Sequence, residues 1–240
     1  HLSLIKRASQ ENETVFVSIF VNPVQFNNPD DLKKYPRTLD ADVKLIGDFA
    51  DYVFAPTVEE VFPVKPSEVS DFGSVEKVME GAARPGHFNG VGVIVRRLLE
   101  WVRPDKAYFG EKDYQQIAVI REMARQCHID SEIVPCPIVR EPNGLAMSSR
   151  NRLLTSEQFE MAANIHRILE ASKQAADVPQ IKSFVESEIA KISGFKLDYF
   201  EIADDATLQT VHALNEAAGV MGFVTVYVGE VRLIDNIRYK

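Results

Sequence analysis

The sequence predicts an α/β protein, a doubly wound parallel sheet over residues 1–150 with a smaller α+β domain over 151–240. Three observations predict it. Short apolar runs alternate with amphipathic segments through the first part of the chain, which is the grammar of a parallel sheet covered on both faces. A polar cluster follows each apolar run. Near residue 150 the alternation stops, and helical patterns give way to longer strand patterns.

Taken in order, Leu2, Leu4, Ile5 and Ala8 have helical spacing, with Lys6 and Arg7 turned outward. Val15 to Val21 is a nearly continuous apolar run, the mark of a strand buried on both faces. Asp40 to Phe49 reads as a helix and Tyr52 to Ala55 as the next strand. Val91 to Val102 reads as a helix, Lys106 to Phe109 as a strand, Ile117 to Cys127 as a helix and Glu132 to Val139 as a strand. Thr155-Ser156-Glu157-Gln158 matches a capping box opening a helix with Phe159, Ala162, Ile165 and Leu169 on its buried stripe. Pro179 suits the first turn of a second helix that stops at Gly194. Leu197 to Ile202 is a strand, and Val220 to Val228 and Val231 to Ile234 form a hairpin across Gly229-Glu230.

Composition excludes several classes. The net charge of −8 opposes a general nucleic-acid surface, which needs a dense basic face. No run approaches the roughly 18 apolar residues of a membrane helix. Cys127 and Cys136 have neither the number nor the spacing of a disulfide framework or zinc site, and read as reduced thiols of a cytoplasmic protein. Positive charge gathers locally at Lys33, Lys34 and Arg37, and again at Arg140, Arg150 and Arg152, which leaves room for anionic small molecules.

The polar clusters carry the chemistry. Asn22-Pro23-Val24-Gln25, Pro56-Thr57, Gly110 to Asp113 and Arg140 to Arg150 each follow a predicted strand. Ligands of open α/β sheets bind outside the carboxyl ends of the strands, so the four clusters are expected to share one edge of one sheet. Phe109-Gly110-Glu111-Lys112-Asp113-Tyr114-Gln115-Gln116 is the densest of these segments. Its lysine suits a phosphate, its glycine a close backbone approach, and its amides uncharged oxygens.

Ser18 to Phe26, Tyr35-Pro36-Arg37-Thr38, Arg84-Pro85-Gly86-His87-Phe88, Phe109 to Asp113, Met147-Ser148-Ser149-Arg150-Asn151 and Leu233-Ile234-Asp235-Asn236 occur in that order. In these motifs the chain closely resembles the pantothenate synthetase (pantoate–β-alanine ligase) family, from end to end. The resemblance implies a Rossmann-like fold of the nucleotidyltransferase superfamily and the condensation of pantoate with β-alanine. It implies ATP cleavage to AMP and pyrophosphate through pantoyl adenylate, with Mg²⁺ among the phosphates. It casts His1, Lys112 and Arg150 as catalytic, and Gly110, Glu111, Lys112, Asp113, Val139, Met147, Ser148, Ser149 and Arg150 as ATP-binding. Gln25 and Gln116 resemble the glutamines that hold pantoate, and His87, Arg84 and Tyr35 are further pocket candidates. A cytoplasmic homodimer is also implied.

One departure is large. The family opens with a strand and a Met-Gly-small-Leu-His-x-Gly-His segment, whereas this chain begins at what resembles the last His of that segment, His1. A sheet without that strand would leave an edge unpaired, so the resemblance implies a chain that starts inside a longer protein. Two alternatives stay open: a nucleotidyltransferase of the same superfamily acting on a phosphate ester, and a truncated, inactive assembly or binding chain.

Overall fold

The computed structural model describes residues 1–26, 32, 33, 35, 37–64, 66 and 70–240. Lys34 of the basic cluster and Pro36 of the Tyr35–Thr38 motif lie outside the described residues. The chain divides into two compact units, His1–Cys136 and Pro137–Lys240.

The first unit is built from parallel strands joined through helices. β1 (Phe16–Ser18) pairs in parallel with β2 (Tyr52–Phe54), and β3 (Lys106–Gly110) with β4 (Glu132–Cys136). The strands pair as two two-stranded sheets, where one continuous sheet was expected. The run Val15 to Val21 also departs from the expected strand buried on both faces, since Phe16 is exposed. Only three residues of the run form β1, and after Ile19 donates its N–H to Phe54 the chain turns at Asn22-Pro23 into a 3-10 helix, Pro23–Gln25. Proline has no N–H to continue the ladder and its fixed φ suits a helical first turn.

The helices His87–Val102 and Tyr114–Gln126 bury Phe88, Val91 and Leu99 against Val119, Ile120 and Met123, with Phe72 closing the cluster. The first of them begins four residues before the predicted Val91, because Gly86 adopts φ 80° and starts the helix at His87. The N-terminal helix Leu2–Glu11 is tied to the second strand pair by polar contacts. Arg7 donates to the Pro135 carbonyl at 3.0 Å, and Glu11 accepts from the Tyr108 hydroxyl at 2.9 Å and from Lys106 at 3.3 Å. The Arg7 guanidinium, which also donates to the Glu11 carboxylate at 2.7 Å, and then the Tyr108 and Lys106 hydrogen bonds pull the Glu11 carboxyl down to about 2.

The second unit is an antiparallel sheet, β5 (Phe195–Asp204), β6 (Val220–Val228) and β7 (Val231–Arg238), packed against helices. Gly229, at φ 58°, makes the predicted hairpin turn between β6 and β7. Thr155 and Gln158 form the predicted capping box, their side chains reciprocally bonded to backbone N–H groups. The expected single helix beyond it is two, Ser156–Ala162 and Asn164–Ser172, because the Asn164 side chain donates to the Met161 carbonyl at the junction. Both still bury the predicted stripe, Ala162, Ile165 and Leu169, in one core with Val224, Val226 and Leu233.

The expected boundary after residue 150 and the observed division at Cys136/Pro137 differ. β4 stops at Cys136, short of the predicted Val139. Residues 137–150 pack with the second unit: Leu145 is 4% exposed within its core, and Arg140 is ion-paired to Asp235 of β7.

Candidate active site

In the first unit, β3 ends at Gly110 and runs directly into the 3-10 turn Glu111–Asp113. Gly110 has an extended backbone that any residue could adopt, but a Cβ there would meet nothing within 4 Å. That glycine therefore keeps a surface open beside the turn. The Lys112 side chain is largely covered, at 18% exposure, and its ammonium lies 3.3 Å from the half-exposed carboxylate of Asp113. The turn thus holds a cation in place without neutralising it by burial, which is a suitable arrangement for meeting a multiply charged anion.

Gln25 is positioned from three directions. The Asn22 side-chain oxygen Oδ1 accepts from the Val24 N–H at 3.1 Å, and its side-chain Nδ2 donates to the Gly90 carbonyl at 2.9 Å. The same amide lies 3.4 Å from the Gln25 side-chain oxygen. The Gln25 carbonyl lies 2.9 Å from His87 Nδ1. Since a carbonyl only accepts, the proton sits on Nδ1, and Nε2 accepts from Arg84 at 3.2 Å. Glu80 lies 3.9 Å from Arg84, and the charges of Glu80 and Asp113 are both felt at His87. Gln25, Arg84 and His87 are therefore joined by direct contacts.

Burial, with Arg84 beside it, pushes the His87 pKa below its ordinary 6.5. The unfolded chain then takes up the proton first as pH falls. Stability carried by neutral His87 is complete above about pH 6.5 and is lost as pH drops toward the lowered value. Urea midpoints of the wild type should fall more steeply as pH drops below about 7 than those of His87→Gln. His166, whose pKa burial also lowers, contributes equally to both proteins and cancels in the comparison. Parallel slopes would remove His87 from the acid response.

The Gln116 side chain is partly exposed one turn beyond Lys112, whereas its neighbour Gln115 is buried. Gln115 donates to the carbonyls of Val75 and Val78, at 2.9 and 2.8 Å, and accepts from the Glu80 N–H at 3.0 Å. It pins the segment that carries Glu80, Arg84 and His87 to the helix that follows Lys112. The sequence groups Gln115 with Gln116 as an amide for uncharged ligand oxygens, whereas the structure buries it and commits it to backbone groups. The signal for its burial was a polar side chain in register with Val119 and Met123 on a buried helical stripe. Pro56-Thr57 follows β2 as expected, with Thr57 as the capping-box residue of the short helix Val58–Val61.

His1 is the N-cap residue of the helix Leu2–Glu11, with its carbonyl accepting from Leu4 and Ile5 and no capping bond from its side chain. The exposed imidazole stands where helix N–H groups and the dipole favour an anion.

Tyr35, also in the first unit, sets its ring edge-on to that of Phe26 with centroids 5.6 Å apart, and the remaining predicted residues lie in the second unit. Met147 donates its N–H to the Val139 carbonyl at 2.9 Å, so these two are cross-strand partners of a small hairpin. Their apolar side chains are 49% and 42% exposed respectively, leaving an uncovered apolar surface. Ser148 caps the 3-10 helix Ser149–Leu153, its hydroxyl accepting from the Arg150 N–H at 3.2 Å. Ser149 is exposed and Arg150 half-buried. Asn151 is buried and donates to the Ala146 carbonyl at 3.1 Å, fixing the hairpin to the turn.

Among the described residues no group of three or more His, Cys, Asp or Glu side chains could hold a metal, and no helix is long and apolar enough to cross a membrane.

Residues 1–238 match the family model of pantoate-beta-alanine ligase. The chain belongs to the pantoate-beta-alanine ligase family. It is 54% identical to the pantothenate synthetase of Bacteroides fragilis, covering 100% of this chain and 86% of that protein. It is 48% identical to the pantothenate synthetase of Porphyromonas gingivalis, over 100% of this chain and 87% of the relative. The crystal structure of pantothenate synthetase from Thermus thermophilus superposes with a TM-score of 0.94 at 40% identity, covering 100% of this chain and 88% of that one. A pantoate-beta-alanine ligase from Francisella tularensis, complexed with beta-gamma ATP and beta-alanine, gives a TM-score of 0.82 at 36% identity, over 100% and 84% of the two chains. The parallel strand pairs and the small antiparallel sheet described above are thus the pantoate-beta-alanine ligase fold.

Proposed function

We propose that the chain is an ATP-dependent ligase that condenses (R)-pantoate with β-alanine to pantothenate, releasing AMP and pyrophosphate. The observation that carries this reading is the family match over residues 1–238, which takes in every cluster of the site. In the first step a pantoate carboxylate oxygen attacks the α-phosphorus of ATP. The bond to the bridging oxygen breaks, pyrophosphate leaves, and pantoyl adenylate forms. The β-alanine amine then attacks the acyl carbon, loses a proton, and AMP departs with the electrons of the acyl–oxygen bond.

Attack by an anion on a triphosphate brings like charges together, so the protein's work is charge stabilisation and alignment. In this reading Lys112 supplies positive charge to the phosphates, the resemblance gives Arg150 the same role, and His1 donates a hydrogen bond to a phosphate oxygen. Ser148 and Ser149 offer hydroxyl and backbone donors to the leaving pyrophosphate. The open side of Gly110 admits the nucleotide beside Glu111 and Asp113. Val139 contributes backbone polar groups and, with Met147, an apolar surface for the base. Gln25 and Gln116 hold the pantoate hydroxyls and carboxylate without adding charge.

Mg²⁺ fits the residues present as a substrate-bound ion. Mg²⁺ is commonly held by one or two carboxylates plus substrate phosphates, so it needs no all-protein cluster. Asp113, half-exposed beside Lys112, is the carboxylate placed to share it. When bound, the ion would neutralise phosphate charge. The same resemblance extends to a cytoplasmic homodimer, and sedimentation of the purified chain tests the dimer directly.

The deciding experiment is AMP release from ATP. It should require pantoate and β-alanine together, with pantothenate formed in equal amount. AMP transfer to a phosphate ester, or no turnover at all, would replace this reading with a nucleotidyltransferase or an inactive chain. Gln116→Ala should raise KM for pantoate about tenfold, the loss of one good hydrogen bond, while KM for ATP holds. An equal rise in both constants would contradict its assignment.

A further inference from the structure

The ion pair between Arg140 and Asp235 joins a sequence motif near the carboxyl end to the hairpin that carries Val139 and Met147. Arg140 approaches Asp235 as a fork: Nη1 donates to Oδ2 at 2.7 Å and Nη2 to Oδ1 at 3.1 Å. Nη1 also donates to the Gly144 carbonyl at 3.2 Å, and Asp235 Oδ1 accepts the Asn236 N–H at 2.8 Å. The Asp235 side chain is 2% exposed and that of Arg140 20%. Arg140 is bridged to Ala146 across the hairpin, and the Val139–Met147 bond is the adjacent rung. The guanidinium thus ties one hairpin strand and the turn at Gly144 to Asp235 on β7.

A buried ion pair is a poor source of stability. Desolvation of both charges offsets most of their attraction, and apolar replacements of similar volume are commonly neutral or stabilising. What such a pair does supply is a single geometry, because a guanidinium fork meets a carboxylate in one plane and one register. Here that register sets the hairpin on which Val139, Met147 and the following 3-10 helix with Arg150 are mounted.

We propose that Arg140 and Asp235 are positioning residues for nucleotide binding, holding the 139–150 segment in the register that ATP requires. The proposal rests on the reading that this segment binds ATP. A uniform structural role would lower stability and weaken both substrates alike. A positioning role raises the ATP constant selectively.

The test compares the full-length wild type with Arg140→Met/Asp235→Leu and with Arg140→Lys. ATP affinity is measured by calorimetry and KM values by AMP release. The double variant should keep its thermal midpoint within about 4 °C of the wild type. Its Kd and KM for ATP should rise about 10- to 100-fold, with KM for pantoate changed less than about twofold. Arg140→Lys keeps the charge but not the fork, and should show about a tenfold rise in the same two ATP constants. Unchanged ATP constants in either variant would overturn the proposal, as would a parallel rise for pantoate. A double variant that fails to fold would overturn it too, since the pair would then be holding the unit together. A wild type that is active and binds ATP while the variants do likewise sinks only this inference. A wild type that binds no ATP sinks the functional reading beneath it.

Discussion

Lys112→Ala should slow pantoyl-adenylate formation by roughly 10²–10³, the loss expected for one preorganised transition-state donor. The ammonium is delivered by the shortest available route, a 3-10 turn starting at the last residue of β3, and its covered stem limits where it can point. The pantoate carboxylate and the triphosphate are both anionic, so the cation acts on repulsion that grows as they approach. Its effect belongs in the rate of the first step rather than in ATP affinity alone. Rapid-quench single turnover with saturating ATP and pantoate isolates that step, and the thermal midpoint should move little because the ammonium is not part of a core. Asp113→Asn supplies a contrast. It removes the anion 3.3 Å from Lys112, and with it the carboxylate proposed to share Mg²⁺, so its loss should diminish at high Mg²⁺ whereas that of Lys112→Ala should not. A single-turnover rate unchanged in Lys112→Ala would remove the residue from the mechanism.

Much of this arrangement was legible in the sequence, and for physical reasons. Apolar runs bounded by polar turns located β2, β3 and β4, although β2 leaves Tyr52 and Val53 exposed and so owes its apolar pattern to strand propensity rather than to burial on two faces. The Thr155–Gln158 capping box and the Gly229 turn were readable because each depends on local chemistry alone. The residues that could not be read act through distant partners. Gln115 takes its meaning from the carbonyls of Val75 and Val78, and Asp235 from a guanidinium 95 residues away. The division at Cys136 was missed for the same reason. Residues 137–150 look like the tail of a strand, yet Leu145 and Arg140 are claimed by the other unit's core and β7. Local pattern locates elements, whereas long-range side-chain pairing decides which unit a loop joins.

Gly90 is where the packing of the first unit and the placement of Gln25 become the same problem. A Cβ at Gly90 would lie 2.7 Å from the Gln25 Cα, 2.7 Å from the Val24 carbonyl oxygen and 2.8 Å from the Gln25 N. All three are backbone atoms, so no side chain can swing aside. Gly90 sits on the buried face of the helix His87–Val102, and its own carbonyl accepts from Asn22. In Gly90→Ala the 3-10 turn Pro23–Gln25 must therefore move off the helix by more than half an ångström to reach ordinary contact, roughly the displacement that costs catalysis up to about 10²-fold. The movement strains the Asn22–Gly90 and His87–Gln25 hydrogen bonds together. kcat/KM for pantoate should accordingly fall by about 10²-fold, and overpacking should cost about 1–3 kcal/mol of stability. ATP binding measured by calorimetry should stay near the wild-type value, because Lys112 reaches the site from β3 and not from the displaced turn. The comparison with Gly110→Ala sharpens the reading: that methyl group meets nothing within 4 Å, so any loss there reports on a ligand and not on packing. A Gly90→Ala enzyme with wild-type pantoate kinetics would show that the position of the 22–25 turn does not matter to the reaction, and Gln25 would lose its place in the site.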